Sequence, residues 1–218
     1  MSKLWLIGRR AALALVATAA VSLSLGGGVP AGSQARAADT GDLAVEIGPD
    51  EHVIGDANAP VTIVEYASLT CPHCARFQTE VLPEVKKQLL DTGKARLVFR
   101  DFPLDQLALR AAALVRCAQP LQRPAMLSLL FETQQTWATS QDPLGALDQI
   151  GRAVGMSSEV VQKCLNDQTL LDAVIAQRLE GEKKYNVNST PSFVIGGKLY
   201  AGEMSVEEIA KLVADATP

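Results

Sequence analysis

Cys71 and Cys74 stand two residues apart in "TCPHCARF", with Pro72 and His73 between them. Thiols at this spacing can share a metal ion with other ligands, close a small inert bridge, or trade disulfides with other chains. The intervening residues favour exchange. Proline suits the first position of a helix, where its missing N–H is no loss. A helix starting at Pro72 makes Cys71 its N-cap, beside free backbone N–H groups and the positive end of the helix dipole. A thiolate is stabilised there, so the Cys71 pKa is expected to fall. His73 adds a donor in the same turn, and a positive charge when protonated. Cys74 lies one turn in, on the apolar face, and is expected to be less exposed. Cys71 is then the sulfur that substrates meet, and Cys74 the one that resolves or re-forms the internal bond. An inert bridge fits poorly, because a ring closed over two intervening residues is strained and easily reduced.

A carboxylate lies close by in sequence. Glu65 precedes Cys71 by six residues, inside the apolar run "VTIVEYASL" (61–69). Buried, it would have a raised pKa and could exchange a proton with Cys74. On an edge strand it would simply face water, and the spacing leaves both readings open.

These residues need elements to hold them. The run 61–69 has the pattern of a buried strand. Cys74, Phe77, Val81, Val85 and Leu89 recur every three or four residues, a helix running to about Leu90 with a kink at Pro83. "ARLVFRDF" (95–102) reads as the next strand, and the stretch from Leu104 to about Tyr185 is helical nearly throughout. "PSFVIGGKLYAG" (191–202) resembles a hairpin around two glycines. "SVEEIAKLVADA" closes as a helix with Ser205 and Glu208 forming a capping box. Upstream, "DLAVEIG" (42–48) reads as a short strand, "GDANAP" as a turn, and His52 as a loop residue. Phe131 and Trp137, six apart in one helix, read as packing residues. "GEKKY" (181–185) reads as a solvated helix end.

The first residues belong to a different class. Lys3, Arg9 and Arg10 precede the uncharged run 11–25, and Ala35-Arg36-Ala37 is a small-x-small site. This is the order of a secretory signal peptide, with cleavage expected after Ala37 by either Sec or twin-arginine export. The apolar run is shorter than the roughly 20 residues that span a bilayer, so no stable membrane insertion is expected. Removing 1–37 leaves 16 basic and 24 acidic residues, a net charge of −8. An acidic domain with 5% aromatic residues argues against nucleic acid as a partner.

Export also places the cysteines where disulfides persist. Cys117 and Cys164 are single cysteines in the helical stretch, without the paired spacing of structural zinc sites. A structural disulfide between them is the expectation in that compartment. Two buried free thiols or a second redox pair are the alternatives. No metal and no cofactor are expected.

Cys-Pro-His-Cys with Glu65 upstream and "STPSFVIGG" far downstream resembles the DsbA family of thiol:disulfide oxidoreductases. The likeness runs from about His52 to the C-terminus. It implies an α/β thioredoxin-like fold with an inserted α-helical domain. The expected division is a signal peptide at 1–37, a thioredoxin-like part at 38–103, the insertion at 104–185 and the rest of the core at 186–218. The resemblance also implies that Thr190-Pro191 faces the active disulfide with a cis peptide bond and pairs with substrate backbone. Relatives place bulky aromatics where this chain has Ser68 and Leu69, so those two are not assigned a groove-lining role.

The implied function is a periplasmic oxidase acting as a monomer on reduced or unfolded exported proteins. A DsbB-like, quinone-linked membrane oxidase would re-oxidise it. A thiolate stabilised by the helix terminus and His73 favours the reduced state, which makes the disulfide a stronger oxidant. The alternatives are a reductase or isomerase kept reduced by a membrane donor, and a chaperone-like module with no redox role.

Overall fold

The computed structural model describes residues 45–48 and 51–218, so the expected leader at 1–37 lies outside the described residues. Among the described residues, five strands form one mixed sheet. They are β1 (His52–Gly55), β2 (Val61–Ala67), β3 (Ala95–Asp101), β4 (Ser192–Ile195) and β5 (Lys198–Ala201), in the order β1-β3-β2-β4-β5. β2 runs parallel to β3, while the β1–β3, β2–β4 and β4–β5 pairs are antiparallel. The parallel step is the one that needs a crossover, and the helical segment 72–90 supplies it.

β2 is central, which decides the fate of its alternating side chains. Val61, Ile63 and Glu65 point to one face; Val64 and Tyr66 point to the other. The first face packs with Phe77, Val85, Leu97, Phe193, Ile209 and Val213. The second packs with Val98, Phe102, Tyr185, Val187 and Val194. Both faces of the strand are therefore covered, as its near-continuous apolar character requires.

The crossover is not one uniform helix. α1 (Pro72–Arg76) leads into a widened π turn at Phe77–Val81, then α2 (Leu82–Val85), then a second π turn at Lys86–Leu90. Proline at 83 has no N–H to give the preceding turn, and the wide turn just before it accommodates that missing donor. The expected kink at Pro83 is thus expressed as a change of helical pitch spread over several residues.

Residues 104–185 carry α3 (Gln106–Cys117), α4 (Arg123–Glu132), α5 (Gln134–Ala138), α6 (Pro143–Ala153), α7 (Ser158–Leu165) and α8 (Gln168–Tyr185). Side-chain caps start four of them: Asp105, Asp142, Ser157 and Asp167 each accept from a backbone N–H in the first turn. α8 ends at Asn186 in the left-handed conformation, with φ 59°. α9 (Val206–Ala216) begins with the expected capping box of Ser205 and Glu208. The hairpin turn Gly196-Gly197 has φ of 56° and 73°, the two positive angles that a tight two-residue β-turn demands.

Four local expectations are corrected. The described part of "DLAVEIG", Val45–Gly48, carries no strand. The first strand is instead His52–Gly55, so His52 is a strand residue paired opposite Phe99. "HVIG" has too few residues to announce a strand, and its regularity comes from pairing with β3. Phe131 and Trp137 are both buried, as expected of packing residues, but lie in successive helices, α4 and α5. "GEKKY" is not wholly solvated, since Gly181 and Tyr185 face the core. A Cβ on Gly181 would come within 2.6 Å of the Tyr66 ring, so glycine is what lets α8 approach β2 this closely.

Candidate active site

β2 ends at Ala67, and a tight turn delivers the chain to α1. Ser68 Oγ accepts from the Leu104 N–H at 3.3 Å, and Thr70 Oγ1 donates to Asp105 at 2.7 Å. Ser68 and Leu69 are buried inside this turn, which leaves them no exposed surface for a groove. The Gln134 amide, on α5 and itself buried, donates to the carbonyls of Leu69 at 2.9 Å and Cys71 at 3.0 Å. The helical block thus holds the approach to the cysteines from the side.

Cys71 is the N-cap of α1 and Pro72 its first residue. The sulfurs are unequal in exposure: Cys71 is 5% exposed and Cys74 fully buried. Their acidities diverge more strongly. The Cys71 pKa is lowered to about 5, chiefly by a hydrogen bond from the Cys74 thiol, with Thr190 and the backbone N–H groups of Cys74 and His73 adding to it against the opposing effect of burial. Burial pushes the Cys74 thiol far up, and its hydrogen bond to Cys71 and the nearby Glu65 carboxylate push the same way. The pair can share one negative charge, and that charge rests on Cys71.

The peptide bond between Thr190 and Pro191 is cis, and this loop meets the cysteines. Cys71 Sγ donates to the Thr190 carbonyl at 3.4 Å. The Thr190 hydroxyl is buried without a partner of its own. It is therefore available as a donor once Cys71 is ionised and has no proton to give to the carbonyl.

Glu65 occupies the centre of β2, paired across from Phe99 and Phe193, and is fully buried. The edge-strand alternative is excluded. Burial raises its pKa to about 8, a hydrogen bond from Gln78 works against that rise, and the negative charge on Cys71 adds to it. Gln78 Nε2 donates to Glu65 Oε2 at 2.6 Å, while Oε1 has no partner. A carboxyl group that gains or loses its proton near neutral pH thus lies beneath the buried sulfur.

His73 departs from expectation in one respect. Its backbone N–H supports Cys71, but its ring is turned to Glu203, with Nδ1 2.9 Å from Oε1. Arg76 donates to the same carboxylate at 3.0 Å. Cys117 and Cys164 are bonded to each other, with Cα atoms 5.9 Å apart, joining the end of α3 to α7. That bond occupies two of the four sulfurs that a four-cysteine metal site would need.

Sequence reasoning missed Gln78, Gln134 and Glu203. Gln78 follows Cys74 by four residues, a helical spacing that places both on one side, and could have been found. Gln134 and Glu203 reach the site over separations of 63 and 130 residues, and no local pattern marks them.

The Thioredoxin family profile matches residues 48–215. The chain belongs to the DsbA-like thioredoxin family of protein-disulfide oxidoreductases. A Rickettsia typhi protein provisionally named a protein-disulfide oxidoreductase is 31% identical over 181 residues, which are 83% of this chain and 67% of that protein. A Rickettsia conorii protein of the same provisional name is 33% identical over 172 residues, 78% of this chain and 62% of that one. The DsbA-like chain therefore spans about two thirds of these relatives' lengths. The crystal structure of Wolbachia pipientis alpha-DsbA1 superposes with a TM-score of 0.72 at 26% identity, covering 78% of this chain and 92% of that one. The thioredoxin-like sheet with helices packed on it is the fold they share.

Proposed function

We propose that this DsbA-like chain is a periplasmic oxidase that donates the Cys71–Cys74 disulfide to reduced exported proteins. The observation that carries the reading is the divergence of the two sulfurs: Cys71 caps α1 with its pKa lowered to about 5, while burial pushes the Cys74 thiol up. In the forward reaction a substrate thiolate attacks Cys71 Sγ. The Cys71–Cys74 bond breaks, a mixed disulfide forms, and Cys74 leaves as a thiolate. Protonated Glu65 is the proton source for that sulfur, directly or through water. A second substrate thiolate then attacks the substrate sulfur of the mixed disulfide, releasing Cys71. A thiolate of low pKa is the better leaving group, so this step is favoured. The substrate gains a disulfide, and the protein retains two electrons.

Thr190 and Pro191 are the residues expected to receive the substrate backbone, beside the sulfur that forms the mixed disulfide. Pro72 starts the helix that polarises Cys71, and His73 contributes its N–H there. The Cys117–Cys164 bond serves as a structural clip within the helical block 104–185, which we read as an insertion between core segments 38–103 and 186–218. Re-oxidation requires a partner that accepts the two electrons, and a DsbB-like, quinone-linked membrane protein has the appropriate chemistry. Residues 1–37 would direct the chain to that compartment.

Equilibration of the pure protein with glutathione tests the direction of flow. An oxidase is expected nearer the roughly −120 mV of DsbA than the roughly −270 mV of thioredoxin. A value near thioredoxin's would replace the oxidase with a reductase, and failure of Cys71 and Cys74 to exchange at all would end the redox reading.

A further inference from the structure

Glu203 lies between β5 and α9, outside every segment that the exchange chemistry requires. Its carboxylate nonetheless meets an imidazole and a guanidinium of α1: Oε1 is 2.9 Å from His73 Nδ1, and Arg76 NH1 lies within 3.0 Å of both carboxylate oxygens. Its neighbour Gly202 donates its N–H to the Pro191 carbonyl at 2.9 Å. Two consecutive residues therefore hold the cis-proline loop and the His73 ring together. His73 is 58% and Glu203 40% exposed, and ion pairs so exposed contribute little to folding. Their geometry matters more for charge than for stability. Arg76 is a permanent cation five residues beyond Cys71, and His73 precedes it by three. A carboxylate on both cancels part of the positive field that a Cys71 thiolate experiences.

We propose that Glu203 is a positioning residue that keeps the His73 ring turned to its own carboxylate and restrains the oxidising power of the Cys71–Cys74 disulfide. The proposal rests on Cys71–Cys74 being an exchange pair. Loss of the Glu203 charge leaves Arg76 and His73 unopposed, stabilises the Cys71 thiolate and favours the reduced protein. Because Gly202 is bonded to Pro191, a substrate seated on that loop would also bear on the carboxylate.

The test compares wild type, Glu203→Gln, His73→Ala and the double variant in glutathione equilibria of the full exported domain. Thiolate absorbance of Cys71 and thermal melting are followed on the same samples. Glutamine keeps an acceptor for His73 and removes only the charge. The expected result is an E203Q equilibrium displaced about two- to fivefold toward reduced protein, the scale of an exposed ion pair. The Cys71 titration should move down in pH with the melting temperature nearly unchanged, and the displacement should shrink when His73 is alanine. An unchanged or opposite equilibrium in E203Q would overturn the proposal, as would a displacement of equal size without His73. If wild type itself fails to exchange with glutathione, the functional reading is what has failed.

Discussion

Cys71 Sγ lies 3.4 Å from the carbonyl oxygen of Thr190, a residue 119 positions further along the chain. The contact joins the start of α1 to the loop before β4 and sets the electrostatic surroundings of the sulfur. The Thr190 hydroxyl is buried with no partner in the reduced protein, and its hydrogen bonding to Cys71 favours the ionised sulfur.

Cys71 in the reduced protein should titrate with a midpoint at about pH 5, read from thiolate absorbance. The lowered pKa has a stability counterpart. Above the unfolded thiol's pKa of about 9 the extra stability is fully present, and it is lost as pH falls through about 5. Thr190→Val removes the hydroxyl donor and should move the midpoint upward. A midpoint near 9 in wild type would mean that the site does not hold a thiolate.

Glu65→Gln should change both stability and pH response. The folded carboxyl, with a pKa of about 8 against an ordinary 4.5, binds its proton more tightly than the unfolded one. Its contribution is fully present below about 4.5 and is lost as pH rises through 8. Wild type should therefore melt progressively lower than the variant between about pH 4 and about pH 8.5, conditions on either side of that window. Exchange through the mixed disulfide should slow in the variant, since Cys74 loses its proton source. Parallel melting curves across that range would disprove the buried titration.

Gln134→Leu leaves the Leu69 carbonyl without its buried donor. The cost should be about 1–3 kcal/mol by urea denaturation. Because the same amide holds the Cys71 carbonyl, exchange with a model dithiol should also slow. A loss of stability with unchanged exchange would confine Gln134 to folding.

Replacing Cys117 and Cys164 with alanine should lower stability by about 2–4 kcal/mol. The bond closes a loop with a sequence separation of 47 between α3 and α7. If the bond is only a clip, the glutathione equilibrium of Cys71–Cys74 should stay where it was. A displaced equilibrium would make it part of the redox site.

Much of this arrangement was legible in the chain itself, because its signals are local. The proline after Cys71 starts a helix by its own geometry, Ser205 and Glu208 cap one by their spacing, and two glycines turn a hairpin. The inequality of Cys71 and Cys74 follows from where each falls on that first helix. Other features depend on what comes to lie alongside. Glu65 is buried only because β2 has β3 on one side and β4 on the other, and no property of "VTIVEYASL" states its neighbours. β1 owes its regularity to β3. Gln134 and Glu203 act across separations that no periodicity spans, and Glu203 turned the His73 ring away from the role its position promised. Backbone preferences are written residue by residue, whereas burial and charge pairing are set by which distant segments the fold brings into contact.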